Sequence, residues 1–169
     1  MTVAELDALP EAAARDALAA CCGATPWVAA ILAKRPWRTP ASLLAAAAGA
    51  WAALTPADLA EAIAHHPRLG ESRAKAALGA RASGWSAGEQ AGALSGADDA
   101  RAALARANLE YERRFGHTFI LCASGKSAED MLASLHERLA NTTDAELAIT
   151  AEELRKITWL RLEKLLAGG

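Results

Sequence analysis

A hydroxyl-bearing residue followed at once by proline, or by an acidic residue three places on, recurs along this chain. Thr25-Pro26, Thr39-Pro40 and Thr55-Pro56 are of the first kind. Ser86-Ala87-Gly88-Glu89, Ser127-Ala128-Glu129-Asp130 and Thr143-Asp144-Ala145-Glu146 are of the second. Each pattern starts a helix. The side-chain oxygen accepts an otherwise unpaired first-turn N–H, proline suits a position whose N–H is not needed, and the acid reaches back to the cap. The chain is also rich in alanine and poor in Val, Ile, Tyr and Phe, so it favours helix and has little from which to build a sheet.

Apolar residues recur at helical spacing between these starts. Met1 to Pro10 reads as a short lead. Glu11 to Cys22 is expected to be helical with Gly23 as its C-cap. Further helices are expected over Pro26–Lys34, from Pro40 to about Leu54, from Pro56 to about His66, from Ser86, over Asp98–Phe115, from Ser127 to about Ala140, and from Thr143 to about Leu166. Pro67 to Trp85 mixes charges with glycines and reads as a long loop, the kind of segment that often carries function. Thr118-Phe119-Ile120-Leu121-Cys122-Ala123 is the one run that reads as extended and buried. The expected fold is all-α: a single domain over residues 1–169, with about seven or eight helices and one short extended segment in its middle.

A formal net charge of -2 announces neither a nucleic acid nor a membrane partner. No uncharged apolar run reaches about 18 residues, so no membrane span is expected. The first residues lack the basic and apolar regions of a secretory signal, and Ala167-Gly168-Gly169 is no peroxisomal tripeptide. Three cysteines, two of them adjacent, make no disulfide framework, and a reducing cytoplasm is the expected compartment. Ser124-Gly125-Lys126-Ser127 imitates the tail of a phosphate-binding loop, but Ile120 stands where the leading glycine belongs. No His-x-x-x-His or Cys-x-x-Cys pair supplies metal ligands, and no metal is expected.

Three places carry chemistry. Pro67 cannot continue a helix, so His66 sits where one ends, and the dipole there favours a protonated imidazole. His65 and His66 together also read simply as a surface pair. Glu89 is equally a capping carboxylate and a site carboxylate beside helix-start amides that can hold an anion. Arg161 shares a row with Ile157 and Leu165, flanked by Leu154. A guanidinium there either snorkels to water or meets a buried anion.

Taken in order, Cys21-Cys22-Gly23 with Trp27, Arg35-Pro36-Trp37, His66-Pro67-Arg68-Leu69-Gly70 and Ser86-x-x-Glu89-Gln90 resemble one known family. So do Phe115-Gly116-x-x-Phe119-Ile120-Leu121-Cys122-Ala123, Gly125-Lys126-Ser127 and Lys156-Ile157-x-x-Leu160-Arg161-Leu162. The family is that of the 2-oxo-4-hydroxy-4-carboxy-5-ureidoimidazoline (OHCU) decarboxylases of urate breakdown. The resemblance covers nearly the whole chain. It implies an all-α enzyme that needs no cofactor or metal and works as a homodimer. It implies His66 as catalytic acid, with Glu89 and Arg161 completing the catalytic set. It implies that the ligand also meets Pro67, the segment Ser86, Ala87, Gly88, Glu89 and Gln90, and the run Phe119, Ile120, Leu121, Cys122 and Ala123. Gly116-His117-Thr118-Phe119 departs from the family pattern, in which bulkier apolar residues stand at this turn.

These residue types fit the implied chemistry, in which loss of carbon dioxide leaves an electron pair that the substrate's own conjugated ring can hold. The protein has to bind an anion, stabilise an enolate-like intermediate and deliver a proton to one face, giving S-allantoin. A different class of reading is a non-enzymatic all-α module that only binds a small anion, with Arg68, Arg73 and Arg81 serving a partner surface. Stereospecific turnover separates the two. Thiol-redox use of Cys21 and Cys22 is disfavoured, because adjacent cysteines form strained disulfides.

Overall fold

The computed structural model describes residues 1–68 and 98–167, the last of these segments with backbone alone for 98–101. The described residues form eight helices and no strand: α1 Val3–Ala8, α2 Glu11–Ala19, α3 Thr25–Leu32, α4 Pro40–Ala52, α5 Pro56–Ala64, α6 Asp98–Phe115, α7 Ala128–Arg138 and α8 Thr143–Ala167. The fold is all-α, as expected. The helix expected from Ser86 lies outside the described residues. No single described helix is long and apolar enough to cross a membrane. The chain divides into two compact units, one of residues 1–62 and 157–169, the other of residues 63–156.

In the first unit, α3 packs on α2 and α4. Its interior includes Leu18, Trp27, Ile31, Leu43 and Leu162, all buried. Both buried indoles also find acceptors: Trp27 Nε1 donates to the Ala47 carbonyl at 3.1 Å and Trp37 Nε1 to the Ile31 carbonyl at 3.1 Å. The stretch read as a lead contains α1, opened by a capping box in which Thr2 and Glu5 bond each other's backbone N–H. Six residues are too few to show a period, which is why the sequence pattern did not announce it. Arg35 holds the far end of α1, donating from Nη2 to the carbonyls of Leu6, Asp7 and Leu9 at 3.2, 2.5 and 2.8 Å. Asp7 returns the contact by accepting from the Trp37 and Arg38 amides at 3.0 and 2.9 Å.

Two expected caps differ. α2 stops at Ala19, short of Gly23, because the Cys21 and Cys22 amides both turn back onto the Leu18 carbonyl. Thr25 is inside α3 and does not cap it. Its amide and hydroxyl donate instead to the Glu61 carboxylate, at 3.1 and 2.6 Å.

In the second unit, α6 packs on α7 around a core of Leu104, Ala107, Tyr111, Phe119, Leu121, Ala123, Met131 and Leu135. Gly116 ends α6 with φ 77°, a left-handed conformation that glycine adopts without steric cost, and its amide bonds the Glu112 carbonyl. Residues 118–123 follow without regular secondary structure, and Ser127 and Asp130 then form the capping box of α7. The start of α8 differs from expectation. Thr142 makes the cap, accepting from the Ala145 amide at 3.3 Å. Glu146 does not reach back to it; it is fully buried and turned toward α7 and α6.

Candidate active site

His66 and Pro67 stand just beyond α5. Thr55 starts that helix as expected, its hydroxyl accepting from the Asp58 amide while the Asp58 carboxylate accepts from Thr55. Those bonds, from the Thr55 amide first, hold the Asp58 carboxyl below its ordinary range. At the other end the His66 amide closes a last turn onto the Ile63 carbonyl at 2.9 Å. Both His66 and Pro67 are half-buried, whereas His65 is exposed. Arg68 then forks onto Glu112 of α6, with Nε and Nη2 each 2.6 Å from a carboxylate oxygen. A bidentate pair of this kind fixes direction as well as distance, so it pins the chain immediately after His66-Pro67. The Arg68 charge is thereby engaged within its own unit.

The run Phe119–Ala123 belongs to the same unit as His66. Phe119, Ile120, Leu121 and Ala123 are buried, and Cys122 is half-buried. The Arg138 guanidinium lies 4.5 Å over the Phe119 ring, and its Nη1 donates to the Ile120 carbonyl at 2.7 Å. The Cys122 amide donates to Glu153 of α8 at 2.8 Å. The Ala123 carbonyl accepts from the Lys126 amide at 3.1 Å. Among the described residues, no hydrogen bond reaches the amide or carbonyl of Leu121.

Behind this run is a buried polar cluster. Glu146 accepts from Arg138 Nε at 2.8 Å and from Asn141 at 2.7 Å, and the Tyr111 hydroxyl donates to it as well. Arg138 also donates to Thr150 at 3.0 Å. Burial pushes the Glu146 carboxyl up, but the bonds from Arg138, Tyr111 and Asn141 and the Arg138 charge outweigh it, and the net direction is down. Tyr111 is pushed far above its ordinary range, by burial first and by its bond to Glu146 second.

Arg161 lies in the other unit, near the C-terminal end of α8. The row read from sequence is buried throughout: Ile157 is 6 %, Arg161 4 % and Leu165 4 % exposed. The guanidinium therefore does not snorkel to water. Its charge acts on the buried Cys22 thiol, whose pKa is raised by burial above all, with the Ala24, Thr158 and Arg161 contributions pulling the other way. Ser86, Ala87, Gly88, Glu89 and Gln90 lie outside the described residues. No three His, Cys, Asp or Glu side chains gather to hold a metal ion among the described residues.

The OHCU decarboxylase family model matches residues 7–163. This chain belongs to the OHCU decarboxylase family. It is 37 % identical over 111 residues to the uric acid degradation bifunctional protein TTL of Arabidopsis thaliana, covering 65 % of this chain and 34 % of that one. It is 35 % identical over 102 residues to the 2-oxo-4-hydroxy-4-carboxy-5-ureidoimidazoline decarboxylase of Amia calva, covering 60 % of this chain and 57 % of that one. The matched part is thus well under two thirds of either relative. A solved OHCU decarboxylase, crystallised in the presence of (S)-allantoin, superposes with a TM-score of 0.75 at 30 % identity, over 90 % of this chain and 98 % of that one. A solved (S)-allantoin synthase shares the fold, with a TM-score of 0.69 at 21 % identity over 98 % of this chain and 54 % of that one.

Sequence reading named the OHCU decarboxylase motifs but missed Arg138, Glu146, Tyr111 and Glu153. A signal for Arg138 was present. It follows Met131 and Leu135 at i, i+4 and i+7, on the stripe of α7 that has to face the core. A buried arginine on such a stripe requires an acidic partner.

Proposed function

We propose that this chain decarboxylates OHCU to S-allantoin without a cofactor, with His66, Glu89 and Arg161 as its catalytic residues. The observation that carries the reading is the superposition over nearly the whole of a decarboxylase crystallised with (S)-allantoin. The burial of Arg161 and the unbonded peptide groups of Leu121 add to it. The bond from the ring to the carboxylate breaks, and its electron pair forms a double bond to the ring carbon bearing the ureido group. The displaced C=N pair moves onto the ring nitrogen, which takes up a proton. The hydroxyl on the same carbon becomes a carbonyl, and a proton adds to the carbon bearing the ureido group. One proton is consumed overall for each carbon dioxide released. His66 is the acid that delivers it, to the face that gives S-allantoin. Arg161 holds the substrate's negative oxygens, as guanidinium does well. Glu89 orients the imidazole or the substrate hydroxyl. Pro67, the segment Ser86–Gln90 and the run Phe119–Ala123 line the ligand. A reducing cytoplasm is the compartment that three cysteines without a disulfide framework imply, and a homodimer is the assembly implied by the family motifs.

The test is turnover of freshly prepared OHCU, followed by circular dichroism of the chiral product. His66→Ala is expected to lose roughly 10²–10⁴-fold in kcat, the contribution typical of a positioned proton donor. A folded His66→Ala protein with undiminished kcat would remove the assignment.

A further inference from the structure

Two charged side chains grip the backbone on either side of Leu121. Before it, Arg138 holds the Ile120 carbonyl at 2.7 Å and covers the Phe119 ring. After it, the Glu153 Oε2 atom holds the Cys122 amide at 2.8 Å. Between the two clamps, the Leu121 amide and carbonyl have no partner among the described residues, although the residue is only 7 % exposed. Buried peptide groups are rarely left unpaired, so a donor and an acceptor placed side by side in this way call for a ligand carrying the complementary pair. A ureido group carries one, a carbonyl next to N–H.

Glu153 is built for such a clamp. Its side chain is 12 % exposed, and its other oxygen, Oε1, is 2.6 Å from Lys156 Nζ. One carboxylate oxygen is thus given to the amide and the other to a cation, which offsets a negative charge that would repel an anionic substrate.

We propose that Glu153 is a positioning residue, which fixes the Cys122 amide so that the Leu121 peptide groups are presented to the ureido arm of the substrate. The proposal rests on the decarboxylase reading above. Glu153 touches no reacting atom in this role; it acts through the backbone.

Three variants test it. Glu153→Ala removes the acceptor and is expected to raise KM about tenfold or more, the worth of one hydrogen bond to a charged group, with kcat nearly unchanged. Glu153→Gln keeps an oxygen for the Cys122 amide but gives up the ion pair, and should stay close to the parent KM. Lys156→Ala should do the same, since it leaves the amide bond in place. Hydrogen exchange at the Cys122 amide should quicken in Glu153→Ala alone. A Glu153→Ala enzyme with unchanged KM overturns the proposal, and so does a Glu153→Gln enzyme as impaired as Glu153→Ala. If the parent protein leaves OHCU untouched, the decarboxylase reading fails instead. The clamp is then judged by exchange at Cys122, and an unchanged rate in Glu153→Ala overturns it.

Discussion

Glu146 shows how much one side chain can hold. Arg138, Tyr111 and Asn141 all donate to it, with no part of the residue exposed. Removing one partner of a buried pair strands the other charge, so Glu146→Gln is expected to destabilise the fold by about 3–5 kcal/mol near neutral pH. The folded carboxyl titrates below its ordinary value of 4.5. Its stabilising contribution is therefore fully present above that value and is lost as pH falls through the depressed one. Chemical denaturation across pH should show the parent losing stability below about pH 4.5, and Glu146→Gln losing less there. Equal slopes for the two proteins would contradict this.

Among the elements, α1 hangs most visibly on side chains from elsewhere. Its six residues cannot hold a helix alone, and Arg35 takes up three carbonyls at its end. Arg35→Ala is expected to cost about 1–3 kcal/mol and to expose the Val3–Ala8 amides to exchange before those of α2 or α3. Protection across α1 that is unchanged in the variant would show that its ends are satisfied some other way. The same helix marks where local sequence reading stops. Thr55-Pro56, Thr39-Pro40 and the Ser127 box identified their helices because cap and first turn are neighbours in sequence. α1 depends on Arg35, and the loss of Thr25 as a cap depends on Glu61; no window of a few residues contains both partners. Glu146 was misread for the same reason: its spacing suits a capping box, and only the distant Arg138 and Tyr111 say otherwise. Arg161 was legible as an arginine in an apolar row, but that row left snorkelling and burial both open, and only the packing around it decides for burial.

For the whole molecule, the family was legible because its motifs run from one end of the chain to the other, and the matched span, residues 7–163, agrees. The assembly is a separate matter that solution size can decide. Light scattering coupled to gel filtration is expected to give about twice the 17.5 kDa chain mass, and a monomer at micromolar concentration would refute the homodimer.

The set around Glu146 also bears on how such a chain can drift over generations. Tyr111, Arg138, Asn141 and Thr150 come from different helices and turns, yet each is bonded to Glu146 or to its arginine. A single replacement leaves its neighbours with unmet charge, whereas a joint replacement by apolar residues of similar volume is often neutral. Relatives should therefore either keep the group together or have exchanged it as a block, and a lineage holding the arginine without any acid opposite it would be the exception to look for.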